Sequence, residues 1–170
     1  MEIVVKELNY IMNKSMTIYT IGHSNRSLDS FIKLLKRYKV KVVVDVRRFP
    51  SSSKYPHFNK EVLQTILPKN GIDYIWLGKL LGGYRKGGYE KYMETEEYAK
   101  GINQLLEVVS RYNSGEVAIM CCEKLWFKCH RRFISNTLVS LGYRVLHIID
   151  DHTVYKHKLR KKVKEVSSKQ

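Results

Sequence analysis

The stretch V-A-I-M-C-C-E-K-L-W-F-K-C-H-R-R, Val117 to Arg132, decides how the chain folds, because it passes from apolar strand through loop to basic helix. Val117 to Cys121 is a short apolar run preceded by the turn residues Asn113, Ser114 and Gly115, the pattern of a buried strand in a parallel sheet. Beyond Cys129, the residues Phe133, Ile134, Leu138 and Leu141 recur at helical spacing until Gly142 stops them, so a helix begins near Cys129. Strand, loop and helix make half of a βαβ unit.

The start of that helix is unusual. His130, Arg131 and Arg132 place cations where the helix dipole is already positive. An offsetting negative group is therefore expected, either a bound anion such as phosphate on the free amides or Glu123 from the strand end. The same field favours the thiolate of Cys129, or of Cys121 if that residue faces the helix start. Cysteine also serves as a small apolar filler. Because adjacent strand residues point to opposite faces, at most one of Cys121 and Cys122 faces a pocket.

Upstream, Thr17 to Ile21 reads as a strand and Gly22-His23-Ser24-Asn25 as the turn leaving it. Ser27 is placed to cap a helix with the buried stripe Leu28, Phe31, Ile32 and Leu35. Val42 to Val46 is a second strand, and the Asp45 within it needs a partner, for which Arg47 and Arg48 are nearest. Asn59 is placed to cap a helix ending near Pro68, and Ile72 to Leu77 is a third strand. Gly78 to Tyr92 interleaves glycines, tyrosines and cations and reads as a mobile basic lid. Thr95 opens another helix with Glu96 and Glu97 at its positive end, and Tyr143 to Ile149 supplies a fifth strand. Strands alternating with helices predict a single three-layer α/β domain over residues 17–150, a mostly parallel five-stranded sheet with helices on both faces. Residues 1–16 are read as an extension, with Met1 or Met16 as the start, and residues 151–170 as a basic tail.

The 170 residues carry 31 Lys and Arg against 16 Asp and Glu, a formal charge of +15, which favours polyanionic partners such as nucleic acid. No apolar run approaches the roughly eighteen residues of a membrane span, and no signal-peptide pattern is present, so the expectation is a cytoplasmic protein without a membrane partner. Three cysteines within nine residues, an odd number, read as reduced thiols and not as a disulfide framework. No Walker-type phosphate loop or G-x-G-x-x-G fingerprint occurs.

In a doubly wound sheet, ligands bind outside the carboxyl ends of the strands. The unusual residues all leave predicted strand ends: His23, Asp45 to Arg48, Arg85, Cys121 with Glu123, and His147 with Asp150. That convergence predicts a pocket. I-G-H-S, D-V-R-R-F-P, L-G-G-Y-R, M-C-C-E and C-H-R together resemble the domain of unknown function 488 family from about Thr17 to Ile149. The resemblance implies a single α/β domain and marks Gly22, His23, Ser24, Asp45, Val46, Arg47, Pro50, Leu81, Gly82, Gly83, Arg85, Cys121, Glu123, Cys129, His130 and Arg131. Cys122, where a small residue is usual, and a K-L-W-F-K loop without proline depart from the pattern.

The favoured reading is an enzyme acting on a phosphate-bearing substrate, a nucleotide or nucleic acid, without a cofactor. Cys129 or Cys121 would attack or donate sulfur, His130 or His23 would carry protons, and Glu123 would orient them. Arg131, Arg85 and Arg47, with Asp45 and Tyr84, would form the anion and substrate surface. The C-x5-R spacing of cysteine phosphatases is not matched. Two other readings are a nucleic-acid-binding module without chemistry, and a zinc site of Cys121, Cys129, His130 and His23.

Overall fold

The computed structural model describes residues 16–160. Five parallel strands, β1 (Thr17–Gly22), β2 (Val42–Asp45), β3 (Asp73–Trp76), β4 (Val117–Cys121) and β5 (Arg144–Ile148), lie in one sheet. A short sixth, β6 (Val154–Lys156), runs antiparallel along β5, giving the order β3-β2-β4-β1-β5-β6. The mostly parallel three-layer α/β architecture is thus as expected, with one strand more. The region read as the beginning of a basic tail supplies that strand. Three residues are too few for an apolar alternation to show, and the segment is held by the His157 amide on the Val145 carbonyl, 2.8 Å.

Helices α1 (Leu28–Arg37) and α2 (Lys60–Lys69) cover one face. Phe31, Leu35, Leu63 and Leu67 pack there on Ile21, Val43, Ala118 and Met120. The other face receives α5 (Glu96–Ser110) and α6 (Arg131–Ser140), whose Ile102, Leu105, Ile134 and Leu138 meet Ile18, Val44, Ile119 and Cys121. Strand alternation divides the two sets, so Cys121 turns toward α6 while Cys122 is exposed. Among the described residues, no helix is long and apolar enough to cross a membrane.

Two caps follow the local sequence. The Ser27 side chain accepts from the Ser30 amide and that of Thr95 from the Tyr98 amide, contacts worth about 1 kcal/mol each. Asn59 has cap dihedrals but makes no side-chain cap bond, its Oδ1 accepting instead from the Ser52 amide at 2.6 Å. The expected lid at Gly78 to Tyr92 is a pinned segment with two short helices, α3 (Gly78–Leu81) and α4 (Tyr89–Tyr92). Tyr89 and Tyr92 donate their hydroxyls to the Leu81 and Leu80 carbonyls at 2.7 and 2.5 Å. The tyrosines that suggested a binding surface are largely its fastening.

Chain direction creates the crevice. After β1 the chain crosses one face to reach β2, whereas after β4 it crosses the other face to reach β5. The neighbouring carboxyl ends of β1 and β4 are therefore a topological switch point, where α/β sheets bind ligands. The two departing loops press together through His23 and Ser24 amides donating to the Cys121 and Cys122 carbonyls, both 2.9 Å. Gly22 permits this approach, since a Cβ there would stand 1.8 Å from the Glu123 carbonyl oxygen.

Asp45, fully buried at the end of β2, receives Arg47 through Nε at 3.0 Å and Nη2 at 2.7 Å, with the Tyr74 hydroxyl at 2.5 Å. Replacing Arg47 by Met leaves a buried carboxylate without its cation, and a loss of about 3–5 kcal/mol is expected in urea denaturation.

Candidate active site at the carboxyl ends of β1 and β4

Arg131 organises the loop between β4 and α6. Its residue is 1% exposed, and its guanidinium turns inward beneath the loop. Nη1 donates to Thr20 Oγ1 at 3.0 Å, Nε to Cys129 Sγ at 3.2 Å, and Nη2 to the carbonyls of Glu123 and Lys124. A buried cation requires a counter-charge, and none of these partners is a carboxylate. The sulfur of Cys129 is the one that can become an anion.

That sulfur also caps the helix. Cys129 is extended, with φ −138° and ψ 175°, and its Sγ accepts from the Arg131 amide at 3.4 Å, the arrangement of a serine at an N-cap. Cys121, facing α6, places its Sγ within 4.8 Å of Cys129 Sγ, and Cys129 Sγ also lies 3.7 Å from the Trp126 carbonyl. The Cys129 thiol is consequently lowered to about 6, by the Cys121 proton first and then by Arg131, against burial, which opposes the shift. Cys121 moves well above its ordinary value because it serves as donor to Cys122 and Cys129. Cys122 is lowered to about 7 by the same Cys121 group. Of the two lowered thiols, Cys129 is the one in contact with the buried guanidinium.

Burial holds two histidines of the cleft in the neutral form. His130 Nε2 donates to the Val46 carbonyl at 2.9 Å, leaving the lone pair on Nδ1, and burial pulls the ring down to about 4. Gly83 keeps that side open, since a Cβ there would lie 3.1 Å from Nδ1. His23 donates Nδ1–H to the Ser24 carbonyl at 2.8 Å, stacks on Phe58 at 4.3 Å and is also lowered to about 4, chiefly by burial. Its Nε2 faces Arg47 Nη1 at 3.4 Å.

A hydrogen-bonded chain runs from Arg131 into the sheet. Arginine only donates, so Thr20 accepts from it and passes its own hydroxyl to His147 Nδ1 at 2.6 Å. His147 then donates from Nε2 to His157 Nδ1 at 2.9 Å, and His157 from Nε2 to Asn136 Oδ1 at 2.6 Å. Each tautomer follows from the one before. Trp126 lies flat on His147 at 4.4 Å and so fixes the middle of the loop.

A cleft of about 1450 Å³ opens here, bordered by His23, Arg47, Cys121, Glu123, Cys129 and His130. The structure thus brings Cys129, Cys121, His130, Glu123 and His23 to one cleft, and Tyr84 stands at its edge. The arginines fall differently from expectation. Arg131 is consumed by the loop, and Arg47 is bound to Asp45 and to the Phe58 carbonyl. Arg85 is not among the residues bordering the cleft; it donates to the Gly82 and Lys79 carbonyls and lies over the Tyr92 ring at 4.0 Å. Glu123 meets Arg131 with its carbonyl, not with the expected carboxylate. Not foreseen from the sequence were Lys54, Lys124 and Lys128, which border the cleft with Arg47 and Arg132, and the supporting Thr20, Asn136, Trp126 and His157. The W-F pair inside the loop was the available signal for Trp126; nothing in the spacing marked His157.

The family model for the domain of unknown function DUF488 matches residues 27–138. The chain belongs to this family. The match runs from α1 into α6 and includes Arg47, Arg85, all three cysteines and Arg131, while Gly22 and His23 precede it. No curated protein and no solved structure matches the chain.

Alkylation of Cys129 by iodoacetamide, followed by mass spectrometry in a Cys122→Ser background, should rise through a midpoint near pH 6. Cys121→Ala removes the proton donor and should move that midpoint upward by about one unit or more, whereas Cys121→Ser retains a donor and should move it less.

Proposed function

We propose that this protein is a thiol-dependent enzyme whose nucleophile is Cys129 and whose substrate bears phosphate, as a nucleotide or nucleic acid does. The observation that carries this reading is the pairing of a buried guanidinium with a sulfur at a helix start, at the mouth of a cleft. An inert cysteine does not need that arrangement, and a thiolate at neutral pH does. The roles of the residues are assigned on the same basis. Cys129 attacks an electrophilic centre, the leaving group departs with the bonding electron pair, and the Cys121 proton is available to it once Cys129 no longer accepts. Neutral His130, with Nδ1 free, is suited to accept a proton from water in a later step, not to donate one. Lys128 and Arg132, beside the helix start, take over the anion-holding role first given to Arg131 and Arg85.

The zinc reading has one observation in its favour. Cys121 Sγ, Cys129 Sγ and a ring nitrogen of His130 lie within 4.8 Å of one another, three donors suited to a soft cation. Against it stands Arg131, whose positive charge already occupies the Cys129 sulfur and would repel a second cation. His23, the fourth ligand first considered, has its ring nitrogens engaged by Ser24 and Arg47. Free thiols of this kind suit a reducing compartment, which favours the cytoplasm.

The test is turnover of a panel of nucleotides, phosphate esters and oligonucleotides by wild type and by Cys129→Ser. Wild-type activity with an acid limb near pH 6, abolished by the substitution in a protein that still unfolds cooperatively though at a lower temperature, is expected. Equal turnover by both proteins would remove the nucleophile assignment. Metal analysis of the same preparation gives an independent reading: one zinc per chain, with alkylation of Cys129 restored only by chelator, would favour the metal site instead.

A further inference from the structure

The cleft rim carries a feature that the thiol chemistry leaves unused. Tyr84, Phe49 and Phe127 are 85%, 64% and 45% exposed, and all three border the cleft. They come from the loops that follow β2, β3 and β4, so their meeting place is set by the sheet and not by one local segment. Large apolar rings scattered singly over a surface mean little, whereas several gathered at one opening mark a binding surface.

Tyr84 is held there against its backbone preference. Its φ is +58°, a left-handed conformation that a bulky residue adopts only when its surroundings impose it. The imposing contacts are visible. Gly83 on one side packs close to His130, and the Tyr84 carbonyl accepts from Arg48 Nη1. The Arg48 guanidinium also sits 5.4 Å from the centre of the Phe49 ring, and the Phe49 and Tyr84 rings lie 6.3 Å apart at 37°. One arginine therefore holds both rings at the rim.

Charge accompanies the rings. Lys54, Lys124, Lys128 and Arg132 border the same cleft, with Glu123 as the acidic residue among them. Flat apolar faces interleaved with cations fit a ligand built of alternating planar rings and phosphates. In a duplex the faces of the bases are already stacked on one another, which leaves none for Tyr84 or Phe127. A single nucleotide would be small for the space, since about 1450 Å³ exceeds the roughly 300–1,000 Å³ of ordinary small-molecule pockets.

We propose that the cleft takes an unpaired strand of nucleic acid, with bases stacked on the Phe49–Tyr84 pair and on Phe127 and phosphates directed at the cations between them. This narrows the substrate class of the site and rests on the thiol-enzyme reading only for what happens after binding. Recognition of this kind tolerates base sequence, because every base has a face to stack.

The test uses the full chain carrying Cys129→Ser, which holds substrate without reacting. Fluorescence anisotropy would compare a labelled oligothymidylate of about twelve nucleotides with an abasic sugar-phosphate strand of equal length, a blunt duplex, thymidine monophosphate and heparin. The oligothymidylate should bind about tenfold or more tighter than the abasic strand and the duplex. Tyr84→Ala and Phe127→Ala should each remove about tenfold from oligothymidylate binding and leave abasic binding unchanged, while Tyr84→Phe retains it. Equal binding of the abasic strand or of heparin would reduce the surface to general polyanion attraction and overturn the proposal. Equal binding of the mononucleotide would overturn the strand, and preference for the duplex would overturn stacking. A result of this kind leaves the alkylation behaviour of Cys129 untouched, so failure of the binding proposal is separable from failure of the nucleophile.

Discussion

A guanidinium buried without a carboxylate is the constraint on which the rest of this site depends. Removing such a group from water costs several kcal/mol unless every donor finds an acceptor and the charge finds its opposite. Arg131 meets the first condition with Thr20 on β1 and two loop carbonyls, and the second with the sulfur of Cys129. The requirement works in both directions. The cation lowers the Cys129 thiol, and that sulfur is the one partner of Arg131 able to carry the opposite charge. Loop shape and the state of the sulfur thus meet at one side chain.

Around that pair the protein separates positioning charges from accessible ones. Asp45 and Arg47 satisfy each other under the cleft, and Arg48 and Arg85 fasten loop carbonyls. Lys54, Lys124, Lys128 and Arg132 are left to face the opening. The cations named here are thus of two kinds, one used as internal scaffold and one bordering the cleft. Two buried histidines follow the same division: burial presses His147 well below the usual histidine range and lowers His157, and both act as fixed hydrogen-bond links.

What the sequence made legible was local or periodic. Ser27 and Thr95 were readable as caps because the bonds they make lie three residues away, and the apolar periods of α1, α5 and α6 were readable because burial repeats with the helix. The convergence at the strand ends was readable because parallel strands leave little choice of edge. Arg131, three residues before Ile134, was readable on the buried side of its helix, but the partners it finds there were not. Arg131 and Arg132 are adjacent and chemically alike, yet one lies beneath the loop and the other borders the cleft, a difference set by which side of α6 meets the sheet. Likewise Asn59 had the type and dihedrals of a cap, but a nearer donor at Ser52 took its oxygen. β6 escaped notice because it is held through a histidine at its end and not through an apolar stripe.

The chain from Arg131 through Thr20, His147 and His157 has a bearing on the order in which the molecule becomes itself. A ribosome makes the cysteine loop before it makes β5 and β6. Until His147 has joined the sheet, Thr20 has no imidazole for its proton and Trp126 has no ring to lie against; until His157 follows, the His147 proton has no acceptor. A polypeptide still lacking β5 and β6 therefore holds the cysteine loop without two of its fastenings, and the final shape of that loop is among the last features that synthesis confers.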